Sequence, residues 1–283
     1  MRLTKIAAFT WLTALASPAA AVIGPPIAYS TPSTIYLVNP DGTGRSTLYT
    51  APRKTSITML DLKPGGGELA IVEAYKLKVL NYDERGLPVG SARTIAIPCG
   101  TILVVDHHPT DGSIIAADGC TPNHIWRIAP GATAADPQPL VTSQAMIASP
   151  RWSSDGSRIY YETVGGIIAF DVSSGTSTTI NSDWGFWDVT RTGDRLILEG
   201  SGGPTNLPNG TNAIFDVPSR TTTPGCTLAQ TLRFGPGDIQ MAYRTVPNHG
   251  ASYVMVQNAD CSGAPFRLTG KAGLYPGLDW AAP

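Results

Sequence analysis

Short apolar segments alternate with turns rich in glycine and aspartate along most of the chain. The clearest case is residues 149–161, Ser-Pro-Arg-Trp-Ser-Ser-Asp-Gly-Ser-Arg-Ile-Tyr-Tyr, where a strand-like stretch lies on each side of a polar turn. Glycine and aspartate tolerate the backbone conformations that tight hairpins require. The pattern therefore predicts a strand, a tight turn and a second strand.

Weaker copies of this unit recur along the chain at nearly even intervals. The residues aligned with Trp152 are Leu62, His107, Trp152, Val189, Phe234 and Trp280. Their successive spacings are 45, 45, 37, 45 and 46 residues. A period of about 40 to 45 residues is typical of four-stranded propeller blades. The sequence therefore predicts an all-β fold, a six-bladed β-propeller.

The two ends of the chain are expected to share one blade. The copy at Trp280 stops after its first strand, and three strand-like segments that no other copy uses lie at 26–30, 34–39 and 45–50. A closed ring leaves no exposed sheet edge between its first and last blades. We therefore expect the ring to be closed by one C-terminal and three N-terminal strands, with residues 22–283 as a single domain.

The first 21 residues have the layout of a secretory signal. Arg2 and Lys5 precede an apolar run from Ile6 to Ala16, and a stretch of small residues ends at Ala21, where we expect cleavage. The apolar run is shorter than the ~20 residues that a spanning helix needs. The predicted location is periplasmic or secreted, with no membrane span.

The charge balance argues against a nucleic-acid partner. Without Arg2 and Lys5, 18 basic residues remain against 21 acidic ones, so the exported chain carries a net charge of about −3. Nucleic-acid binding requires clustered lysine and arginine on a basic domain, and the sequence has no such cluster.

Four cysteines in an exported chain indicate two disulfides. Cys99 and Cys120 lie almost symmetrically about the turn of a predicted hairpin, so antiparallel pairing brings them face to face. Cys226 and Cys261 then pair by elimination, although the predicted strand order places them near opposite ends of one sheet. Zinc binding by four thiolates is disfavoured because the sequence has no Cys-x-x-Cys pair.

Three segments resemble the WD40-like repeats of TolB-type six-bladed propellers. They are Ser149-Pro-Arg-Trp-Ser-Ser-Asp-Gly156, Phe170-Asp-Val-Ser-Ser-Gly175 and Tyr36-Leu-Val-Asn-Pro-Asp-Gly42. The resemblance implies a periplasmic or secreted propeller that binds proteins or small ligands. The chain departs from TolB in having no place for an α/β domain ahead of its first strand, and it has no Gly-x-Ser-x-Gly motif of a hydrolase domain.

A charged residue precedes the aligned position in every copy. The six residues are Asp61, Asp106, Arg151, Asp188, Arg233 and Asp279. The innermost strand of each blade lines the central channel of a propeller, so two interpretations arise. The six residues form a structural belt of ion pairs between blades, or they bind a ligand, with Asp279, Asp61 and Asp106, which are neighbours without a cation, holding a hard cation such as calcium.

Trp184 and Trp187 are further candidates, because aromatic side chains at a channel mouth stack on a sugar or a peptide side chain. The alternative is that they fill the wedge between two blades. His107 lies at the aligned position and is expected to pack between blades. The sequence indicates no catalytic residue, no metal site with several histidines and no cofactor beyond the calcium hypothesis.

These patterns predict an exported, monomeric, non-catalytic propeller that recognises a protein or envelope component through its loops and channel mouth. The alternative is a propeller enzyme, a lyase or lactone hydrolase that uses channel carboxylates and a metal. Channel acids without cationic partners would favour the enzyme.

Overall fold

A computed structural model describes residues 25–181, 185–190, 195–199, 211–245, 253–269 and 277–281. The described residues form antiparallel β-strands and one short 3-10 turn at Pro236–Asp238, with no α-helix among them. They contain no helix long and apolar enough to cross a membrane. The predicted signal, residues 1–21, lies outside the described residues and stays a prediction.

The described residues begin with three strands of one blade and continue with the next three blades in sequence order. The closing blade contains β1 (Ile27–Ser30), β2 (Thr34–Val38) and β3 (Ser46–Thr50). Blade 1 contains β4 (Ile57–Leu62), β5 (Glu68–Glu73), β6 (Lys76–Tyr82) and β7 (Pro88–Thr94). Blade 2 contains β8 (Ile102–His107), β9 (Ile114–Asp118), β10 (Asn123–Ile128) and β11 (Val141–Ser143). Blade 3 contains β12 (Ala148–Trp152), β13 (Arg158–Thr163), β14 (Gly166–Asp171) and β15 (Thr176–Asn181).

The remaining strands form blades 4 and 5 and return to the closing blade. Blade 4 contains β16 (Gly185–Val189), β17 (Arg195–Glu199), β18 (Thr211–Asp216) and the first part of β19 (Thr221–Phe234). Blade 5 contains the second part of β19, β20 (Gln240–Thr245), β21 (Val254–Asn258) and β22 (Phe266–Arg267). The last strand, β23 (Leu278–Trp280), pairs with β1.

The predicted closure of the ring is confirmed. Strand β23 is the innermost strand of the closing blade, and it pairs with β1 in the register Ile27↔Trp280 and Tyr29↔Leu278. The order β23-β1-β2-β3 joins one C-terminal strand to three N-terminal strands. The fold is therefore the predicted six-bladed propeller of four-stranded blades.

Blades 4 and 5 are joined by a continuous strand, which the repeat pattern did not predict. Strand β19 pairs with β18 up to Leu228 and with β20 from Ala229 onward, so the two blades form one seven-stranded sheet. The register shifts near Ala213, where Gly225 approaches β18 so closely that a β-carbon would lie 2.6 Å from the carbonyl oxygen of Asn212. The bulge bends the strand without ending it.

Among the described residues, the hydrophobic core consists of six clusters, one at each interface between neighbouring blades. Both faces of strands such as β5 and β9, the second strands of blades 1 and 2, are buried. Apolar residues therefore run continuously in Leu69–Val72 and Ile114–Ala117. Trp152 packs in the cluster between blades 2 and 3, and Trp280 packs in the cluster between blade 5 and the closing blade. Burial at the interfaces holds each blade against its neighbours.

Both predicted disulfides are present. The Cys99–Cys120 bond connects the segment before β8 to the β9–β10 turn within blade 2. The Cys226–Cys261 bond connects β19 to the β21–β22 turn. The expectation that Cys226 and Cys261 lie near opposite ends of one sheet was wrong. Cys226 belongs to the outer, blade 4 part of β19, and that part lies beside blade 5.

Candidate functional site

The six charged residues at the inner strands are all buried. We call Asp61, Asp106, Arg151, Asp188, Arg233 and Asp279 the belt; each is at most 5% exposed. They lie near the end of each inner strand, just before the turn that leads to the second strand. We call the side of the disc that carries these turns the turn face.

The four aspartates of the belt bind backbone amides of neighbouring blades. Oδ2 of Asp61 accepts from the N–H of His107 at 2.7 Å, and Oδ2 of Asp106 accepts from the N–H of Trp152 at 2.7 Å. Asp188 accepts from Phe234 at 3.3 Å, and Asp279 accepts from Leu62 at 2.7 Å. In each case the donating residue is the one directly after the belt residue of a neighbouring blade. The aspartates therefore connect blades through hydrogen bonds to the main chain.

The two arginines bind the carboxylates of other blades. Arg151 Nη1 lies 3.7 Å from Asp106 Oδ1, and Arg151 Nε lies 3.5 Å from Asp188 Oδ1. Arg233 Nε lies 3.6 Å from Asp279 Oδ1. Burial, followed by the nearby charge of Arg151, lowers the pKa of Arg233, but a guanidinium remains protonated in proteins. Both arginines thus supply buried positive charge to the belt.

His107 is a third cation, which the sequence analysis missed. Its Nδ1 lies 2.6 Å from Asp61 Oδ2 and its Nε2 lies 3.3 Å from Glu68 Oε1. Burial alone lowers the pKa of this imidazole, but the hydrogen bonds to Asp61 and Glu68 outweigh burial and raise the pKa to about 9. His107 is therefore protonated at neutral pH, and it does more than pack between two blades.

The interpretation of Asp279, Asp61 and Asp106 as neighbours without a cation was wrong. Asp279 has Arg233, Asp61 has His107 and Asp106 has Arg151 within 4 Å. Within the described ranges, the one convergent group of three or more potential metal ligands is Cys99, Asp118 and Cys120. Its two cysteines form a disulfide. Each of these three aspartates therefore has a cationic partner within the protein.

A cavity of about 350 Å³ opens above the belt on the turn face. Its floor contains Asp106, His107, Arg151 and Asp188, and its walls come from the turns of five blades. The wall residues are Pro64, Pro109, Thr110, Trp152, Ser153, Ser154, Val189, Thr190 and Gly237. The Nε1 atom of Trp152 is buried and has no hydrogen-bond partner among the described residues. This channel mouth is the candidate site.

A larger hollow of about 680 Å³ lies near the rim and contains no belt residue. It is lined by Gly65–Gly67 and by the turn from Tyr82 to Gly86, and Asp83 in that turn is paired with Arg85 at 2.9 Å. A large volume does not by itself indicate a binding site, so we do not take this hollow as the candidate site. Trp184 lies outside the described residues, as does the side chain of Trp187, so their predicted role at the mouth stays a prediction.

No family model and no curated protein sequence matches the chain. Its structure is similar to TolB from Acinetobacter baumannii, with a TM-score of 0.72 and 14% identity over 93% of this chain and 68% of that one. A putative TolB from Agrobacterium tumefaciens gives a TM-score of 0.66 and 12% identity over 90% of this chain and 98% of that one. A chain of a nidogen/laminin complex gives 0.67 and 11% identity over 91% and 98%. These comparisons confirm the TolB-like propeller fold.

Proposed function

We propose that this chain is an exported, non-catalytic binding propeller that recognises a protein or envelope component at the channel mouth. The observation that carries the proposal is the floor of the mouth. Its carboxylates, Asp106 and Asp188, already bind main-chain amides and a cation of neighbouring blades. A buried carboxylate whose oxygens are already engaged in this way maintains the shape of a binding cavity, and it has little capacity left to accept a proton from a substrate.

The floor of the mouth constrains the partner further. Asp106 and Asp188 stand there against Arg151 and the protonated His107, so the floor carries no net charge. The cavity above it is lined mostly by proline, hydroxyl and tryptophan side chains. Such a lining suits a partner segment with mixed apolar and hydrogen-bonding groups rather than a strongly charged one.

Three features support an extracytoplasmic compartment. Two disulfides favour an oxidising environment, the first residues have the layout of a signal, and the fold is that of TolB-type propellers. One similar chain comes from a nidogen/laminin complex, so a propeller of this fold occurs in an assembly of proteins. We infer a periplasmic or secreted monomer.

The proposal is tested by blocking the mouth while leaving the belt intact. Thr110 is an exposed wall residue, and Thr110→Trp places a large ring there. Val164 is 92% exposed in the β13–β14 turn, on the side opposite the turn face, so Val164→Trp is the matched control. The intact exported chain and both variants are used as baits in an envelope extract, and captured proteins are identified by mass spectrometry.

We expect proteins that the parent chain and Val164→Trp capture to be absent from Thr110→Trp. Equal capture by both variants would overturn the assignment of the mouth. A parent chain that captures nothing and is isolated with a bound metal would favour the enzyme alternative.

A further inference from the structure

A further cavity on the turn face lies at the rim, between blade 5 and the closing blade. Its volume is about 420 Å³, which is within the range of small-molecule sites. It is lined by Pro40, Asp41, Gln240, Val256, Gln257, Asn258, Ser262, Gly263, Ala264 and Phe266. We call it the rim groove. It shares no residue with the channel mouth.

The two lips of the rim groove are turns of the same construction. In the β2–β3 turn, Asn39 Nδ2 donates to Thr43 Oγ1 at 3.0 Å and the N–H of Thr43 donates to Asp41 Oδ1 at 2.9 Å. In the β21–β22 turn, Asn258 Nδ2 donates to Ser262 Oγ at 3.0 Å. The N–H of Ser262 donates to Asp260 Oδ1 at 2.8 Å. Such side-chain bonds fix the turns.

The second lip is also held covalently. Cys261 lies inside the β21–β22 turn and is bonded to Cys226 of β19, so the turn is attached to the outer part of blade 4. A groove whose walls are fixed before binding loses little conformational entropy when a ligand enters. The rim groove is therefore preorganised.

The rim groove combines an aromatic ring with one unsatisfied amide oxygen. Phe266 is 51% exposed, and its ring lies against Gly42, where a β-carbon would be 3.7 Å from the ring. Gln257 is only 8% exposed, and its Oε1 has no hydrogen-bond partner among the described residues. A buried amide oxygen without a partner is costly. A ligand donor in the groove would relieve that cost.

We propose that the rim groove binds a neutral saccharide. The C–H face of a sugar ring packs on an aromatic ring such as that of Phe266, and the planar amides of Gln240 and Gln257 offer the donors and acceptors that adjacent hydroxyls require. Asp41 is the one charged residue among the lining side chains, so the site offers no cation to an anionic sugar. The aliphatic Val256 and Pro40 complete an amphipathic wall.

The experiment uses the intact exported chain and three neutral disaccharides, namely maltose, cellobiose and N,N′-diacetylchitobiose. Binding is measured by saturation-transfer NMR and by titration calorimetry. We expect at least one of them to bind, Phe266→Ala to weaken that binding by about tenfold or more, and Phe266→Tyr to retain it because the ring remains.

Tyr75→Ala is the matched control, because Tyr75 is a 57% exposed aromatic residue in the β5–β6 turn on the opposite side of the disc. It should bind as the parent chain does. The thermal unfolding midpoint of each variant shows that it is folded. The proposal is overturned if none of the three sugars binds at up to about 10 mM, or if a folded Phe266→Ala binds with unchanged affinity.

Discussion

The belt contains two kinds of junction between neighbouring blades, and they differ in what joins the blades. Where the belt residue is Asp61 or Asp106, its carboxylate accepts a main-chain N–H of the next blade at 2.7 Å. Where it is Arg151, the guanidinium contacts carboxylates on both sides at 3.5 to 3.7 Å and donates from Nη1 to the carbonyl oxygen of Val105 in blade 2 at 3.3 Å. The first junction is a short hydrogen bond to a carboxylate, and the second combines longer charge interactions with a longer hydrogen bond. The same belt position therefore closes the ring in two ways.

The largest effect is expected at the aspartate junction between blades 1 and 2. Asp61→Ala removes the acceptor of two His107 hydrogen bonds and leaves the buried imidazolium with Glu68 alone. We expect a loss of about 3–5 kcal/mol in the free energy of unfolding, measured by urea denaturation. Glu84→Ala, at an exposed turn residue, is the control. A loss no larger than that of the control would show that this junction does not hold the ring.

The protonation of His107 makes the same junction sensitive to pH. Its pKa is about 9 in the fold against 6.5 ordinarily, so its contribution to stability is complete below about pH 6.5. That contribution is lost as the pH rises through about 9. We expect the difference in unfolding free energy between the parent chain and His107→Gln to decrease by about 3 kcal/mol over this window. Urea titrations at successive pH values measure it, and a flat difference would contradict the assigned charge.

A smaller loss is expected at an arginine junction. Arg151→Met keeps the aliphatic volume but removes the shared cation, while Asp106 and Asp188 keep their main-chain donors. We expect a loss of about 1–3 kcal/mol, measured as for Asp61→Ala, with the exposed Arg53→Met as control. A loss equal to or above that of Asp61→Ala would reverse the order of the two junction types.

The smallest effect is expected from calcium. Because Asp279, Asp61 and Asp106 each bind a main-chain N–H and a cation of the protein, added calcium should leave the thermal unfolding midpoint unchanged. An increase in the midpoint that Asp61→Asn abolishes would restore the calcium hypothesis.

The repeat and the closure of the ring could be predicted because they depend on local pattern. Each blade requires apolar strands and turn residues within one repeat, and the segments near Trp152 and Asp41 contain both. The continuity of β19 could not be predicted in this way. Pro224-Gly225 has the composition of a turn, and only the close approach to Asn212 shows that the chain bulges there and continues. Because this continuous strand was not predicted, Cys226 was wrongly expected to lie at the opposite end of a sheet from Cys261.

The belt was predicted as a set of residues, but its pairing was not. The contacts join atoms of different blades. A sequence pattern does not show which side chain of one repeat contacts a residue of the next repeat. His107 was assigned to packing because it aligned with Trp152, and its partners Asp61 and Glu68 belong to blade 1. The rim groove escaped prediction for the same reason, because its lips come from the β2–β3 and β21–β22 turns, far apart in sequence.

The position of β23 has a consequence for biosynthesis. Strands β1–β3 are made first, yet their inner partner consists of residues 278–280. While the chain is being made, β1 presents an unpaired edge and the cluster that Trp280 completes with Ile27 is open. Unpaired edges and exposed apolar surface favour aggregation. We therefore expect the nascent chain to depend on chaperones until its last strand emerges, and a stop codon ahead of Leu278 to yield insoluble protein.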